Sequence, residues 1–521
     1  MLKEKIRNPW SRNDGRAVFI SVMTVAAVTF FYYLTGEPKN SDCFNEGLLV
    51  YTNGDFDVSL GRWLTPFCMS LSWSIVNPLI HLIVYFLCDA VAAILLIDMW
   101  GIKGRILRIL TGGIFAVAPA IVGQALYIHE MPTYAASLLL AFVSIFILSE
   151  YRGYISFIIS SVFFALALGA FQSIIGVVFF VLPGCLFMAL LGKDKTIKDF
   201  ALLCGRYAGF GVCGVLIYWV VLKVYLKASG IARPSYAGVD EVGLSSVLSN
   251  FGHYIKRPYW IFLSYYRDDP LLGNVFWGLL ILTGVSCGIY VLFKVIKDKL
   301  TWKLIPGVIL ILVMPLGANI IDIITPEHGV QLYMTYQMQL LAPFCLGVIC
   351  MSGEMMPENN EKTRRIVSLV TGICLAGLIW SYCFQAYCSF RTLETGSRYI
   401  KYCVQNALSH ALEDEAYEEG MPVVFVGFVN DEKAQKMNPL RAYSYYDNAY
   451  PFWKERYEVF SVWRAYCAYY FGVDIGTVGA DRYEAILASD EFSKMTQYPS
   501  DGAFAVIDGC YVILMDRESI A

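Results

Sequence analysis

Charge is what this sequence has least of. Only 16% of its 521 residues are Asp, Glu, Lys or Arg, against roughly 25% in soluble domains. Hydrophobic residues make up 57% and the mean hydropathy is +0.54, so a string of soluble domains of about 150 residues each is excluded. Cysteine motifs are missing as well. The fifteen cysteines contain no C-x-x-C, and most, including Cys88, Cys204, Cys213, Cys287, Cys345 and Cys350, fall in apolar stretches. They read as small buried apolar side chains, not as a disulfide or metal framework. No internal repeat is visible. A concentrated basic balance is lacking too, which argues against nucleic acid as a partner.

What is present is a sequence of apolar runs near the roughly 20 residues that a helix needs to cross about 30 Å of hydrocarbon. Eleven are predicted: 17–34, 73–99, 106–127, 133–148, 154–171, 173–191, 200–226, 275–295, 304–324, 338–351 and 366–387. The fifth and sixth are separated by little more than Gln172, which predicts a tight hairpin. The fold class expected is therefore a polytopic α-helical membrane protein of about eleven transmembrane helices with a small C-terminal α/β domain.

Charge then divides and orients the chain. Residues 1–388 hold 28 basic and 23 acidic side chains, and residues 389–521 hold 12 and 20. The first stretch is expected to be the membrane body and the second a soluble domain. Lys3, Lys5, Arg7, Arg12 and Arg16 precede the first run, with no small-residue cleavage site after it, so it is expected to remain as an anchor. With that basic N-terminus in the cytoplasm, alternation places 20 of the 28 basic residues inside, as the positive-inside rule asks. The odd span count then sends the tail out of the cytoplasm. There, Ile400, Val404, Leu408 and Leu412 stand at helical spacing and would prolong the last span as an amphipathic helix. Pro422 to Phe428 reads as a buried strand, and Asp508-Gly509 between two apolar runs as a type I′ hairpin turn.

Two long loops, 35–72 and 227–274, both fall on the outer side. The first contains Tyr51-Thr-Asn-Gly-Asp55-Phe-Asp57-Val-Ser-Leu-Gly61-Arg62-Trp63, the densest polar run of the body. A carboxylate there can take a proton from an attacking sugar hydroxyl, and a nearby cation can balance a departing phosphate. A solvated Asp-Arg surface pair is the plainer alternative. The second loop contains Lys256-Arg257-Pro258-Tyr259-Trp260, two cations among interfacial aromatics, suited to a phosphate on a lipid chain or to an interfacial helix resting on headgroups. His129-Glu130 and Glu327-His328 are outer acid-base pairs, and Glu130 and His328 are candidate substrate contacts beside Arg62, Trp63, Lys256 and Arg257. Neither pair has a third ligand nearby in sequence, so zinc is not indicated. Asp89, Asp98 and Asp322 fall in or at the ends of spans, where carboxylates are usually paired or functional. Gln124, Gln172, Asn319 and Gln337 either line an outer cavity or pack between helices.

The run Asp55-Phe-Asp57-Val-Ser-Leu-Gly61-Arg62-Trp63 after a first span, the many-span body, and the ending Met495-Thr-Gln-Tyr498-Pro499-Ser-Asp501-Gly502 with Val506-Ile507-Asp508-Gly509 resemble the bacterial and phage glucosyltransferases of the type II Gtr family. These are polytopic, lipid-sugar-dependent glycosyltransferases of the GT-C class. The resemblance implies an enzyme of the bacterial plasma membrane that moves a hexose, typically glucose, from a polyprenyl phosphate to a surface polysaccharide on the outer face. It further implies inversion at the anomeric carbon and an acidic base in the first outer loop, a role that falls on Asp55 or Asp57. Of the two, Asp55 follows the Asn53-Gly54 turn and is the one expected to project over the cavity, with Asp57 a strand-like step further and facing the same way. No cofactor is required beyond the lipid-linked sugar, and a divalent metal is optional. The rival function is a transporter or flippase, but such proteins usually carry repeats and paired broken helices.

Overall fold

The architecture is that of a computed structural model describing residues 13–36, 50–52, 54–192, 196–234, 251–267, 272–324, 330–357, 360–429, 436–446 and 459–517. Among these residues, ten helices are long and apolar enough to cross a membrane by length and composition, and an eleventh apolar helix, Tyr154–Ala170, is shorter. At 1.5 Å per residue its 17 residues reach about 25 Å.

Helix α1 (Asn13–Gly36) is followed by two short helices, α2 (Gly54–Ser59) and α3 (Thr65–Ser70), then by α4 (Pro78–Met99). Asn77 caps α4 by accepting the Ile80 N–H, and Pro78 occupies the first turn, where a missing N–H costs nothing. The span therefore begins five residues later than the apolar run suggests. The third span is broken. α5 (Arg105–Ala116) stops before Pro119, where Ala118 is extended at ψ 129°, and α6 (Pro119–Leu126) resumes. Proline pushes the preceding residue out of the helical region, and that is the cause.

The expected hairpin follows: α7 (Met131–Glu150), then α8 (Tyr154–Ala170) turning at Phe171–Ser173 into α9 (Ile174–Leu191). α10 (Ile197–Ser229) opens with a capping box between Thr196 and Asp199. α11 (Phe251–Arg267) is amphipathic and is followed by α12 (Gly273–Lys297), α13 (Leu304–Ala318) and the short α14 (Ile320–Ile324). A short buried 3₁₀ helix, Tyr336–Leu340, leads into α15 (Leu341–Met355). The core is thickest in α4, α5, α6 and α9, where Ala90, Ile94, Phe115, Ile121 and Val181 are almost fully enclosed.

α16 (Glu361–Glu413) runs for 53 residues, about 80 Å at helical rise, and carries the last span on into the tail. Ile400, Val404 and Leu408 are buried against the tail, while Leu412 is 42% exposed, so three of the four expected positions face inward. Near its midpoint Glu394 accepts from the Tyr32 hydroxyl and pairs with Arg391 at 2.9 Å and with Arg398, which fixes the end of α1 to α16. The tail and the α2 loop consequently lie at the same end of the bundle, opposite the start of α1.

In the tail, β1 (Val423–Val426) pairs in parallel with β3 (Cys510–Leu514), which pairs antiparallel with β2 (Phe504–Ile507), giving the order β1-β3-β2. Asp508 and Gly509 turn the hairpin with φ of 49° and 64°, the two positive values that a type I′ turn demands. Phe425, Trp463, Tyr466, Tyr511 and Ile513 form a core that includes the end of α16. The fourteen cysteines among the described residues are free thiols.

Candidate active site

The loop between α1 and α4 folds as helix where the sequence suggested an extended step. Asp55 and Asp57 both lie in α2, and residues two apart on a helix point about 200° away from each other. They therefore do not face the same way. Asp55 is exposed and makes no hydrogen bond or ion pair among the described residues, whereas Asp57 is 2% exposed. The Tyr51 hydroxyl donates to Asp57 Oδ2, and Arg62 Nη1 donates to Asp57 Oδ1 at 3.3 Å.

A turn at Leu60-Gly61 brings Arg62 back over Asp57. Gly61 has φ 94°, and a Cβ there would sit 2.5 Å from the Tyr218 hydroxyl and 2.8 Å from Gln172 Nε2. Only glycine fits both the angle and the space. The same two side chains hold the turn: Gln172 Nε2 donates to the Leu60 carbonyl at 2.8 Å, and the Tyr218 hydroxyl to the Gly61 carbonyl at 3.2 Å. Trp63 lies flat on α8 at Gly169, where a Cβ would come within 2.4 Å of the indole. It thus acts as a wedge that docks the loop, with its Nε1 unpartnered among the described residues.

Arg62 also reaches Glu130, at the start of the fourth span, with Nη1 to Oε1 at 2.5 Å, and the Tyr134 hydroxyl donates to Glu130 Oε2 at 2.5 Å. Burial opposes the guanidinium's charge, but the carboxylates of Glu130 and Asp57 more than compensate and hold its pKa well above the ordinary arginine value. The Phe171 ring lies 5.8 Å from the guanidinium carbon. Both ion pairs use Nη1, so Nη2 and Nε keep donors for a ligand. Two carboxylates thus share one guanidinium.

Lys256 and Arg257 lie on α11, away from that knot in sequence. Lys256 is exposed. Arg257 Nη2 pairs with Asp322 of α14 at 3.0 Å, and Asn319 Nδ2 donates to the Pro258 carbonyl at 2.9 Å. Tyr259 donates to the Leu312 carbonyl and Tyr266 to the Met338 carbonyl at 2.6 Å, so α11 is fastened along its length. His328 lies outside the described residues. Asp98 pairs with Arg108 at 2.8 Å, and Asp89 accepts from the Tyr336 hydroxyl. Among the described residues no group of three or more His, Cys, Asp or Glu side chains is arranged to hold a metal ion.

Tyr51, Tyr134 and Tyr218 carry no role in the sequence reading. Tyr134 had a signal, standing four residues after Glu130 on a helix. Tyr218 had none inside an apolar span.

The profile of the family described as glucosyl transferase GtrII matches residues 40–358. The chain belongs to this family. The matched stretch takes in α2, Arg62, Glu130, α11 and Asp322, so each part of the candidate site falls within the GtrII match. It ends before α16, and the tail motif from Met495 onward is outside it. No curated protein matches the chain, and no solved structure does.

Proposed function

We propose that this GtrII-family glucosyltransferase moves glucose from a polyprenyl-phosphate donor to a surface polysaccharide at the outer face of a bacterial plasma membrane, with the N-terminus in the cytoplasm and the tail outside it. The knot of Asp57, Arg62 and Glu130 supports this best. An acceptor hydroxyl attacks the anomeric carbon from the face opposite the phosphate and gives its proton to the Asp57 carboxylate. The bond from that carbon to the phosphate oxygen breaks, its electron pair leaves with polyprenyl phosphate, and configuration inverts. Asp57 is preferred to Asp55 because a base must be oriented as well as ionised, and Tyr51 and Arg62 orient it. Glu130 holds Arg62, whose remaining donors, with Lys256, receive the phosphate. Arg257 adds its charge when it exchanges Asp322 for the donor.

Linkage analysis of surface polysaccharide from cells with and without this chain tests the reading. Loss of a single glucose side branch is the expected result. An unchanged polymer with altered solute uptake would favour a transporter.

A further inference from the structure

Directly beside the knot is a cavity of about 20 Å³ whose walls include Gln124, Gln337, Tyr85, Tyr134 and Phe171. Tyr134 donates to Glu130 and Phe171 lies against Arg62, so the cavity and the knot share two walls. Gln124 is 5% exposed and Gln337 1% exposed. Each anchors its amide nitrogen to the main chain, Gln124 Nε2 to the Tyr333 carbonyl at 3.0 Å and Gln337 Nε2 to the Ala318 carbonyl at 2.6 Å. This fixes both carboxamides and leaves Gln124 Oε1 and Gln337 Oε1 buried with no partner among the described residues. Unpaired buried acceptors are costly, so such a pair calls for an occupant that donates. The Tyr85 hydroxyl, in a side chain only 1% exposed, makes no hydrogen bond among the described residues and supplies a donor.

Acceptors of this kind repel phosphate and carboxylate and suit a neutral hydroxyl. The volume is room for about one water, too small for a pyranose ring. On a hexose, the one hydroxyl that stands a carbon away from the ring is that of the exocyclic hydroxymethyl. We infer that this cavity receives the hydroxymethyl of the transferred glucose, its hydroxyl donating to Gln124 or Gln337 and accepting from Tyr85. These side chains thereby set specificity for a hexose bearing a 6-hydroxyl. The inference rests on the glycosyltransfer reading above and adds the subsite to it.

Full-length protein in liposomes would be assayed with polyprenyl-phosphate glucose and with the 6-deoxyglucose analogue, which loses one oxygen and nothing else. The wild type is expected to lose on the order of 10- to 100-fold in kcat/KM on the deoxy donor, the cost of leaving a buried acceptor unpaired. In Gln337→Met and Tyr85→Phe that penalty should shrink toward one. Equal use of the two donors by the wild type would overturn the inference and leave the cavity to a water, and that comparison needs no variant to fold. A penalty undiminished in both variants would overturn the assignment of these residues. No transfer from either donor would instead defeat the glycosyltransfer reading, and the inference with it.

Discussion

Arg62 and Glu130, 68 residues apart in the chain, meet at 2.5 Å with side chains 16% and 5% exposed. The contact locks the first loop to the head of the fourth span. Removing Glu130 leaves Arg62 with Asp57 alone and takes the acceptor from the Tyr134 hydroxyl, a loss of about 1 to 3 kcal/mol. Glu130→Ala is therefore expected to lower the thermal midpoint of the purified protein sharply, whereas Glu130→Gln, which keeps an acceptor for Arg62, should cost less than half as much. Equal midpoints for Glu130→Ala and wild type would show that the pair does not hold the loop.

The turn before Arg62 gives a second test. Gly61→Ala meets both a positive φ, worth about 1 to 3 kcal/mol of strain, and the Tyr218 hydroxyl. The double variant Gly61→Ala with Tyr218→Phe removes the closer of the two contacts, leaves Gln172 Nε2 at 2.8 Å and keeps the strain, so only a small part of the lost stability and turnover should return. An Ala variant with wild-type turnover would mean that the loop tolerates a different path.

On α11, Lys256→Ala with Arg257→Ala should raise the apparent donor KM by about tenfold, the value of roughly one charge-assisted hydrogen bond, and leave the acceptor KM alone. Asp322→Asn weakens the hold of that side chain on Arg257 and should shift donor KM the other way. Unaltered donor dependence in both variants would make α11 an interfacial anchor alone.

The tail predicts an acid response of stated sign. Arg464 donates to Asp474 through Nε at 2.7 Å and Nη2 at 2.8 Å, and these bonds, with one from the Gly476 N–H, bring the Asp474 pKa down to about 2. A carboxylate with a depressed folded pKa stabilises the fold above its unfolded value and loses that contribution as pH falls through the folded one. Near-UV circular dichroism of the tail tyrosines and tryptophans should therefore weaken from about pH 4 toward pH 2, and less steeply in Asp474→Asn. Identical acid profiles for the two proteins would refute the linkage.

Much of this was readable in advance, for reasons tied to particular residues. The apolar runs mark the spans because hydrocarbon imposes a length, and Asp508-Gly509 marks the hairpin because few residues accept two positive φ values. The knot was half visible. Asp57, Arg62 and Glu130 each stand out as charges beside a membrane, but their meeting depends on the Gly61 turn, which is held by Gln172 and Tyr218 from distant helices. The facing of Asp55 and Asp57 was misjudged, because six residues after a turn give too short a window to separate strand from helical period. The break before Pro119 had its local signal, and the run of apolar residues across it masked the stop.

The central claim is that the oriented carboxylate of Asp57 takes the acceptor's proton. Asp57→Asn is nearly isosteric: its amide oxygen can accept from Arg62 while its amide nitrogen donates to the Tyr51 hydroxyl, so the protein should fold and extract from membranes as the wild type does. Single-turnover transfer of glucose from a polyprenyl-phosphate donor is the measurement. A fall of about 10²- to 10⁴-fold in rate is expected for Asp57→Asn, the usual value of a general base, and a far smaller change for Asp55→Asn. Wild-type turnover in well-folded Asp57→Asn, or the large loss appearing in Asp55→Asn instead, would contradict it.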